Sequence, residues 1–312
     1  MTWHRRTVES AALRGNPLGD PAERPLWIWS PDATSQRHPV VYVLHAHMRS
    51  AASWFNVEPF QRAYPEEIDA LHPPAIVVLV DGWTSVGGSQ WIDSDGIGRY
   101  ATYLAEDVVP LVEAEFPANG LRGLQGKSSG GYGAVVNALR RPDLFHACAA
   151  HAPDALFDVT LARGFAPVAR ALRERFGTLE DFWRQFTGLR SHDDALLVEL
   201  AACARAFGDG ALPADAETGA AFPEAFAGWL EHDPVRLVAV HADAARSLRG
   251  VWLDAGRSDS YYLDLGALAL RRAFERAGVD VRFELFDGGH GGMSWRYPLS
   301  LQWLVGVLGK SA

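Results

Sequence analysis

The stretch Gly126-Lys127-Ser128-Ser129-Gly130-Gly131 constrains this chain more than any other. A short strand-like run, residues 121–124, leads into it, and a small-residue helical run, residues 132–139, leads out. Strand, sharp turn and helix around G-x-S-x-G make a nucleophile elbow. The glycines are needed because the backbone doubles back within a few residues. A Cβ two places either side of the serine would collide with the neighbouring strand and helix. The turn lifts the Ser128 hydroxyl clear of the sheet, and the new helix aims its first N–H groups at whatever bonds to that oxygen. The pattern occurs once: Ser89, Ser258 and Ser294 each follow a nearby glycine but lack the second one.

The flanking chain has the rhythm such an elbow needs. Residues 39–44 and 75–80 are continuous apolar runs rich in β-branched residues, suited to strands buried on both faces. Residues 146–152, 249–255 and 281–286 read as further strands, and residues 26–29 as an early strand at the antiparallel edge of the sheet. The rest of residues 1–30 is polar and punctuated by Gly and Pro, and reads as irregular. Helical spacing covers residues 100–116, with a kink expected at Pro110, and then residues 263–277 and 294–308. The alternation predicts an α/β fold, a single domain over 1–312 with a mostly parallel sheet covered by helices on both faces. Residues 154–248 break the rhythm. They hold amphipathic patches at 176–186 and 195–207, a loop at 208–223, and no convincing strand. This helical insertion falls where hydrolases of this fold often carry a lid, and a plain cover for the sheet explains it equally well.

Composition excludes several classes. With 48% hydrophobic residues the chain can bury a large core. A formal charge of −9 without any Lys/Arg run argues against a nucleic-acid surface. Two cysteines are too few for a disulfide framework, and Cys148, in an apolar run, reads as a buried thiol. Residues 1–10 lack the apolar core of a signal peptide, and no stretch is apolar over the roughly 18 residues a membrane span needs. A cytoplasmic location is therefore expected.

An alkyl hydroxyl attacks poorly at neutral pH, so Ser128 needs a base and a group that orients the base, arriving in the order Ser, acid, His. Asp287-Gly288-Gly289-His290-Gly291-Gly292 follows the last predicted strand at once. Its glycines leave the His290 ring free to lean over the C-terminal edge of the sheet, where open α/β folds bind ligands. Two aspartates compete for the acid. Asp254 still belongs to a strand and reads as a cap for local backbone groups. Asp259 sits in the loop Gly256-Arg257-Ser258-Asp259-Ser260 and is favoured. The oxyanion hole requires two aimed N–H groups, one from Ser129 and one, by position, from His47 in the loop after residues 39–44. Trp54, Trp83, Trp91 and Trp295 fall on predicted loops near the same edge and together suggest an apolar or aromatic acyl pocket.

Other chemistries fit less of the sequence. His45 and His47 form an H-x-H that could hold a metal with His72, His151 or Asp254, but that reading leaves the elbow and the Gly-rich His290 turn unexplained. A phosphate loop would need glycine at position 121, which is Leu121. Lys127 reads first as a solvated or locally paired side chain, and second as a group favouring an anionic substrate. No cofactor and no metal are expected.

These residues together resemble the esterase D-type α/β hydrolases, which include S-formylglutathione hydrolases, feruloyl esterases and mycolyltransferases. The likeness runs through Arg14-Gly15-Asn16-Pro17-Leu18-Gly19, Val41-Tyr42-Val43-Leu44-His45 with Ser53-Trp54-Phe55, and Glu106-Asp107-Val108-Val109-Pro110. It continues through residues 126–133, Leu253-Asp254-Ala255-Gly256 with Asp259, and Gly289-His290. The resemblance implies Ser128 as nucleophile, Asp259 as acid, His290 as base, and His47 and Ser129 as backbone donors. It implies a small ester or thioester as substrate. The chain departs from the family at Ser129, where Met or Gln is common, and in its long insertion; Ala46 stands where hydrolases commonly place a glycine. An acyltransferase with the same triad, or a non-catalytic binding member of the fold, are the rival readings.

Overall fold

The computed structural model describes residues 2–31, 36–57, 59–190 and 192–310. Ten strands occur in chain order among them: β1 (Thr2–Glu9), β2 (Glu23–Ser30), β3 (His38–Leu44), β4 (Ile76–Val80), β5 (Asp93–Ser94), β6 (Gly98–Arg99), β7 (Ala118–Lys127), β8 (Ala147–His151), β9 (Gly250–Gly256) and β10 (Val281–Phe286). Eight of them form one sheet in the order β1-β2-β4-β3-β7-β8-β9-β10, and β5 and β6 make a separate two-residue hairpin. Pairing is antiparallel at β1/β2 and β2/β4 and parallel from β4 to β10.

Every residue of β3 and β4 is buried, as their unbroken apolar runs require. Side chains alternate between two cores. Val41, Val43, Val77 and Leu79 pack with Tyr64, Leu301, Leu304 and Leu308 on one face. Val40, Tyr42, Val78 and Val80 meet Val108, Val112, Tyr132 and Val135 on the other.

Two elements differ from the expectation. The stretch expected to be irregular contains β1, which pairs with β2 from Thr2↔Ser30 to Glu9↔Glu23 and takes the edge position assigned to residues 26–29. Only Val8 of β1 is buried, and the strand carries Arg5 and Arg6, so it shows no apolar alternation to read. Charges on an edge strand also discourage pairing with another chain. Around Pro110 the helix Val109–Glu115 is preceded by a wide turn, Tyr103–Val108, in which the Val109 N–H donates to Leu104 rather than to the residue four back. Proline has no N–H to continue the ordinary ladder, so the expected kink takes the form of a π-type turn.

Between β8 and β9 the elements are helical, apart from an isolated bridge between Ala214 and Ala221. These helices pack onto the elbow helix Ser129–Arg140: the Tyr132 ring lies 6.0 Å from Phe157 and 5.8 Å from Phe207. Cys148 is buried in β8, which pushes its thiol pKa up to about 12. Among the described residues no helix is long and apolar enough to cross a membrane.

Candidate active site

Ser128 stands between β7 and the helix Ser129–Arg140 with φ 57° and ψ −124°, a left-handed conformation uncommon for a residue with a side chain. The surrounding glycines allow it. A Cβ on Gly126 would run into the Gly130 carbonyl, and one on Gly130 into the carbonyls of Leu44 and His45, the latter at 2.7 Å. The Ser128 N–H donates to the His151 carbonyl at 2.9 Å, and its own carbonyl accepts from Tyr132 N–H at 2.8 Å. Strain in the turn is thus held by bonds on both sides.

The loops after β9 and β10 bring the other two groups together. Arg257 N–H donates to the Phe286 carbonyl and Ser258 N–H to that of Gly288, both at 2.9 Å. A Cβ on Gly256 would lie 2.5 Å from the Gly289 carbonyl, so glycine is what lets the loops approach. Across this seam His290 Nδ1 donates to Asp259 Oδ2 at 2.8 Å, and Asp259 Oδ1 accepts from Tyr261 N–H at 2.8 Å. Burial lowers the His290 pKa and the nearby Lys127 charge lowers it further, while the Asp259 bond opposes both. With Nδ1 donating to a carboxylate, the neutral ring keeps its lone pair on Nε2.

Asp254 has a different role from the expected backbone cap. It is fully buried and accepts from three side chains: His151 Nδ1 at 2.7 Å, Trp252 Nε1 at 2.8 Å and Arg296 Nε at 2.9 Å.

Sequence reasoning missed Asp154, which contacts the serine, and a group of residues near it. Ser128 Oγ donates to Asp154 Oδ1 at 3.3 Å. Burial pushes the Asp154 carboxyl up to about 7, against the pull of that bond and of Lys127. From the insertion, Arg163 lies 3.9 Å from Glu199, whose carboxyl is raised to about 8, chiefly by burial and then by Asp154. Arg163 also sits over the Tyr261 ring at 5.1 Å, and that ring lies 4.8 Å from His290. The available signal for Asp154 was its position three residues beyond β8, at the same sheet edge as the elbow. Lys127 is half-buried in the cavity wall. Burial brings its pKa down to about 8, with Asp259 and Asp154 opposing and Arg49 reinforcing the shift.

The loop after β3 abuts the elbow through the Leu44 and His45 carbonyls beside Gly130. The His47 ring is buried against Gly87 and Gly88, and its pKa falls to about 4, through burial and then the His45 charge. His45 Nδ1 donates to the Ala46 carbonyl at 3.0 Å and Nε2 accepts from Gly82 N–H at 2.9 Å. His151 is likewise engaged, by Asp254 and Ser300. Among the described residues no three His, Cys, Asp or Glu side chains converge as a metal site.

A cavity of about 220 Å³ opens beside His290, with Trp54, Tyr64 and Tyr297 in its wall. Trp54 packs 5.3 Å from each of the two tyrosine rings. The other three tryptophans expected at a pocket lie elsewhere. Trp91 is core: it fills the space left by Gly82 and Gly133 and donates through Nε1 to the His45 carbonyl at 3.1 Å. Trp83 and Trp295 are partly exposed outside the cavity, and Trp295 packs on Phe286 and Arg296.

A largely parallel sheet whose C-terminal edge presents a strained serine and a His–Asp pair is the architecture of the α/β hydrolases. Residues 23–302 match the family described as Putative esterase, and the chain belongs to that family of carboxylic ester hydrolases. Solved structures share the fold at low identity. A ferulic acid esterase is 17% identical with a TM-score of 0.63, covering 99% of this chain and 98% of that one. An S-formylglutathione hydrolase from Agrobacterium tumefaciens is 19% identical with a TM-score of 0.58, over 98% and 95%. MPT51 (FbpC1) of Mycobacterium tuberculosis is 17% identical with a TM-score of 0.61, over 99% of each chain.

Proposed function

We propose that the chain hydrolyses small carboxylic esters or thioesters through an acyl-enzyme on Ser128. The observation that carries this reading is the 2.8 Å His290–Asp259 bond at the same sheet edge as a serine held at φ 57°. Substrate draws the Ser128 hydroxyl from Asp154 toward His290 Nε2. His290 takes its proton as Oγ attacks the carbonyl, and Asp259 fixes the tautomer and stabilises the imidazolium. Backbone N–H groups of Ser129 and His47 hold the oxyanion, each worth roughly 3 kcal/mol. His290 then protonates the leaving alcohol or thiol, and water repeats the cycle on the acyl group. A fluorophosphonate probe tests the assignment. Stoichiometric labelling that peptide mass analysis maps to Ser128 is expected, and an unlabelled Ser128 in folded protein would overturn it.

The state of His290 also fixes the acid limb of the pH profile. A general base works only when neutral, so kcat/KM rises as pH rises through the His290 pKa of the free enzyme. That pKa is lowered from the ordinary 6.5, so the limb should fall below 6.5 with a plateau through neutrality. A pH series with a neutral ester checks this, and a limb centred above 7 would contradict it.

A further inference from the structure

The cavity beside His290 combines an aromatic wall with a cluster of cations. Arg49, from the loop after β3, and Arg62, just before the helix Tyr64–Leu71, line it together with Lys127. Neither arginine forms an ion pair with a described residue. Asp259 and Asp154 supply counter-charge to Lys127 while bonding to His290, Tyr261 and Ser128, and Glu66 bonds to the Ala63 N–H at 3.1 Å. Ser53 and Asn56 add neutral hydrogen-bonding groups to the same wall.

In a chain of formal charge −9, three basic side chains gathered at one concavity beside the reacting centre are against the average. Two arginines on one concave wall, without an ion pair among the described residues, concentrate ligands of the opposite charge. Guanidinium groups suit a planar carboxylate particularly well, since they offer paired N–H donors. The aromatic side formed by Trp54, Tyr64 and Tyr297 would take the short apolar stem that joins such a carboxylate to the ester.

Resting on the esterase reading above, we propose that this cavity is an anion subsite, so that preferred substrates are small esters or thioesters bearing a carboxylate on the acyl or alcohol side. Arg49 and Arg62 bind the carboxylate and so place the scissile carbonyl over Ser128. Lys127 adds charge from the elbow itself.

Matched esters test this and separate the two sides. Mono-p-nitrophenyl glutarate against p-nitrophenyl valerate places the charge on the acyl group. The butyrate ester of 5-hydroxy-2-nitrobenzoate against p-nitrophenyl butyrate places it on the leaving group, with rates normalised to hydroxide hydrolysis. At least one charged ester should be favoured by about tenfold or more in kcat/KM, the value of one good charge-assisted contact. The preference should shrink severalfold between about 0.05 M and about 0.5 M salt, where screening shortens from beyond 10 Å to a few ångströms. In an Arg49→Gln/Arg62→Gln double variant the charged-to-neutral ratio should approach one. Neither charged ester being favoured, a preference indifferent to salt, or a ratio unchanged in a folded double variant would each overturn the proposal. Should the double variant not fold, the wild-type salt series decides alone. Rapid hydrolysis of the neutral esters with no charge preference removes only the subsite. Failure on every ester, with Ser128 unlabelled by a fluorophosphonate, removes the esterase reading and the subsite with it.

Discussion

Ser128→Ala should lower kcat/KM for a chromogenic ester by roughly four to six orders of magnitude, since the members of a triad act as a unit and only backbone donors and binding remain. At 1.36 kcal/mol per decade that is about 5–8 kcal/mol of lost transition-state stabilisation. Stability should hardly move. The hydroxyl makes one 3.3 Å bond to Asp154, whose loss costs on the order of 1 kcal/mol. Alanine meets the same left-handed backbone that serine does, so the turn is neither relieved nor further strained. Adding Asp259→Asn to Ser128→Ala should cost almost nothing more, because an oriented base is idle without its nucleophile. Steady-state rates on the single and double variants, with thermal melts as a folding control, check both statements. More than about 1% residual activity in Ser128→Ala would place the chemistry elsewhere.

What the sequence discloses here is set by how local each physical constraint is. The elbow is legible because its glycines answer a steric demand within five residues, Gly126 against Gly130 and Gly130 against the loop after β3. β3 and β4 are legible because burial on both faces leaves unbroken apolar runs. β1 is not, since an exposed edge strand need not alternate. His290 announces itself by its glycines. Asp154 offers only its place three residues beyond β8, and Arg163 and Glu199 offer nothing local, because their pairing depends on how the helices between β8 and β9 pack. Trp91 lies on a loop and so reads as pocket, yet two glycines, Gly82 and Gly133, make the space that buries it. The choice of acid lies between Asp254, inside β9, and Asp259, five positions on in the loop just beyond it. The strand holds the Asp254 carboxylate on His151, Trp252 and Arg296, while the loop carries that of Asp259 to His290.

That choice yields the second large effect, on stability rather than rate. Asp254→Ala should destabilise the protein by about 3 kcal/mol, since removing one partner of a buried charge pair leaves the other uncompensated. The figure sits at the low end of that range because Arg296 keeps a second carboxylate, Glu284, at 2.6 Å. Asp254→Asn should cost less. Its carbonyl can stand where Oδ2 accepts from Trp252 Nε1 and Arg296 Nε, while its amide would face His151 Nδ1 and demand the other tautomer. The alanine penalty should also depend on pH. Burial alone would raise the Asp254 pKa, but the His151 charge and the bonds from His151 and Trp252, with the Arg296 charge, outweigh it and hold it below the ordinary value. A depressed folded pKa gives stability that is present above the unfolded value, about 3.9, and lost as pH falls through the folded one. The gap between wild type and Asp254→Ala in urea melts should therefore be full at neutral pH and narrow below about pH 4. Meanwhile kcat per folded molecule should stay near wild type, because no atom of Asp254 reaches His290: its three partners are His151, Trp252 and Arg296. A stable Asp254→Ala protein with a collapsed kcat would reverse the assignment, making Asp254 the group that orients the base and leaving Asp259 a structural partner of the His290 loop.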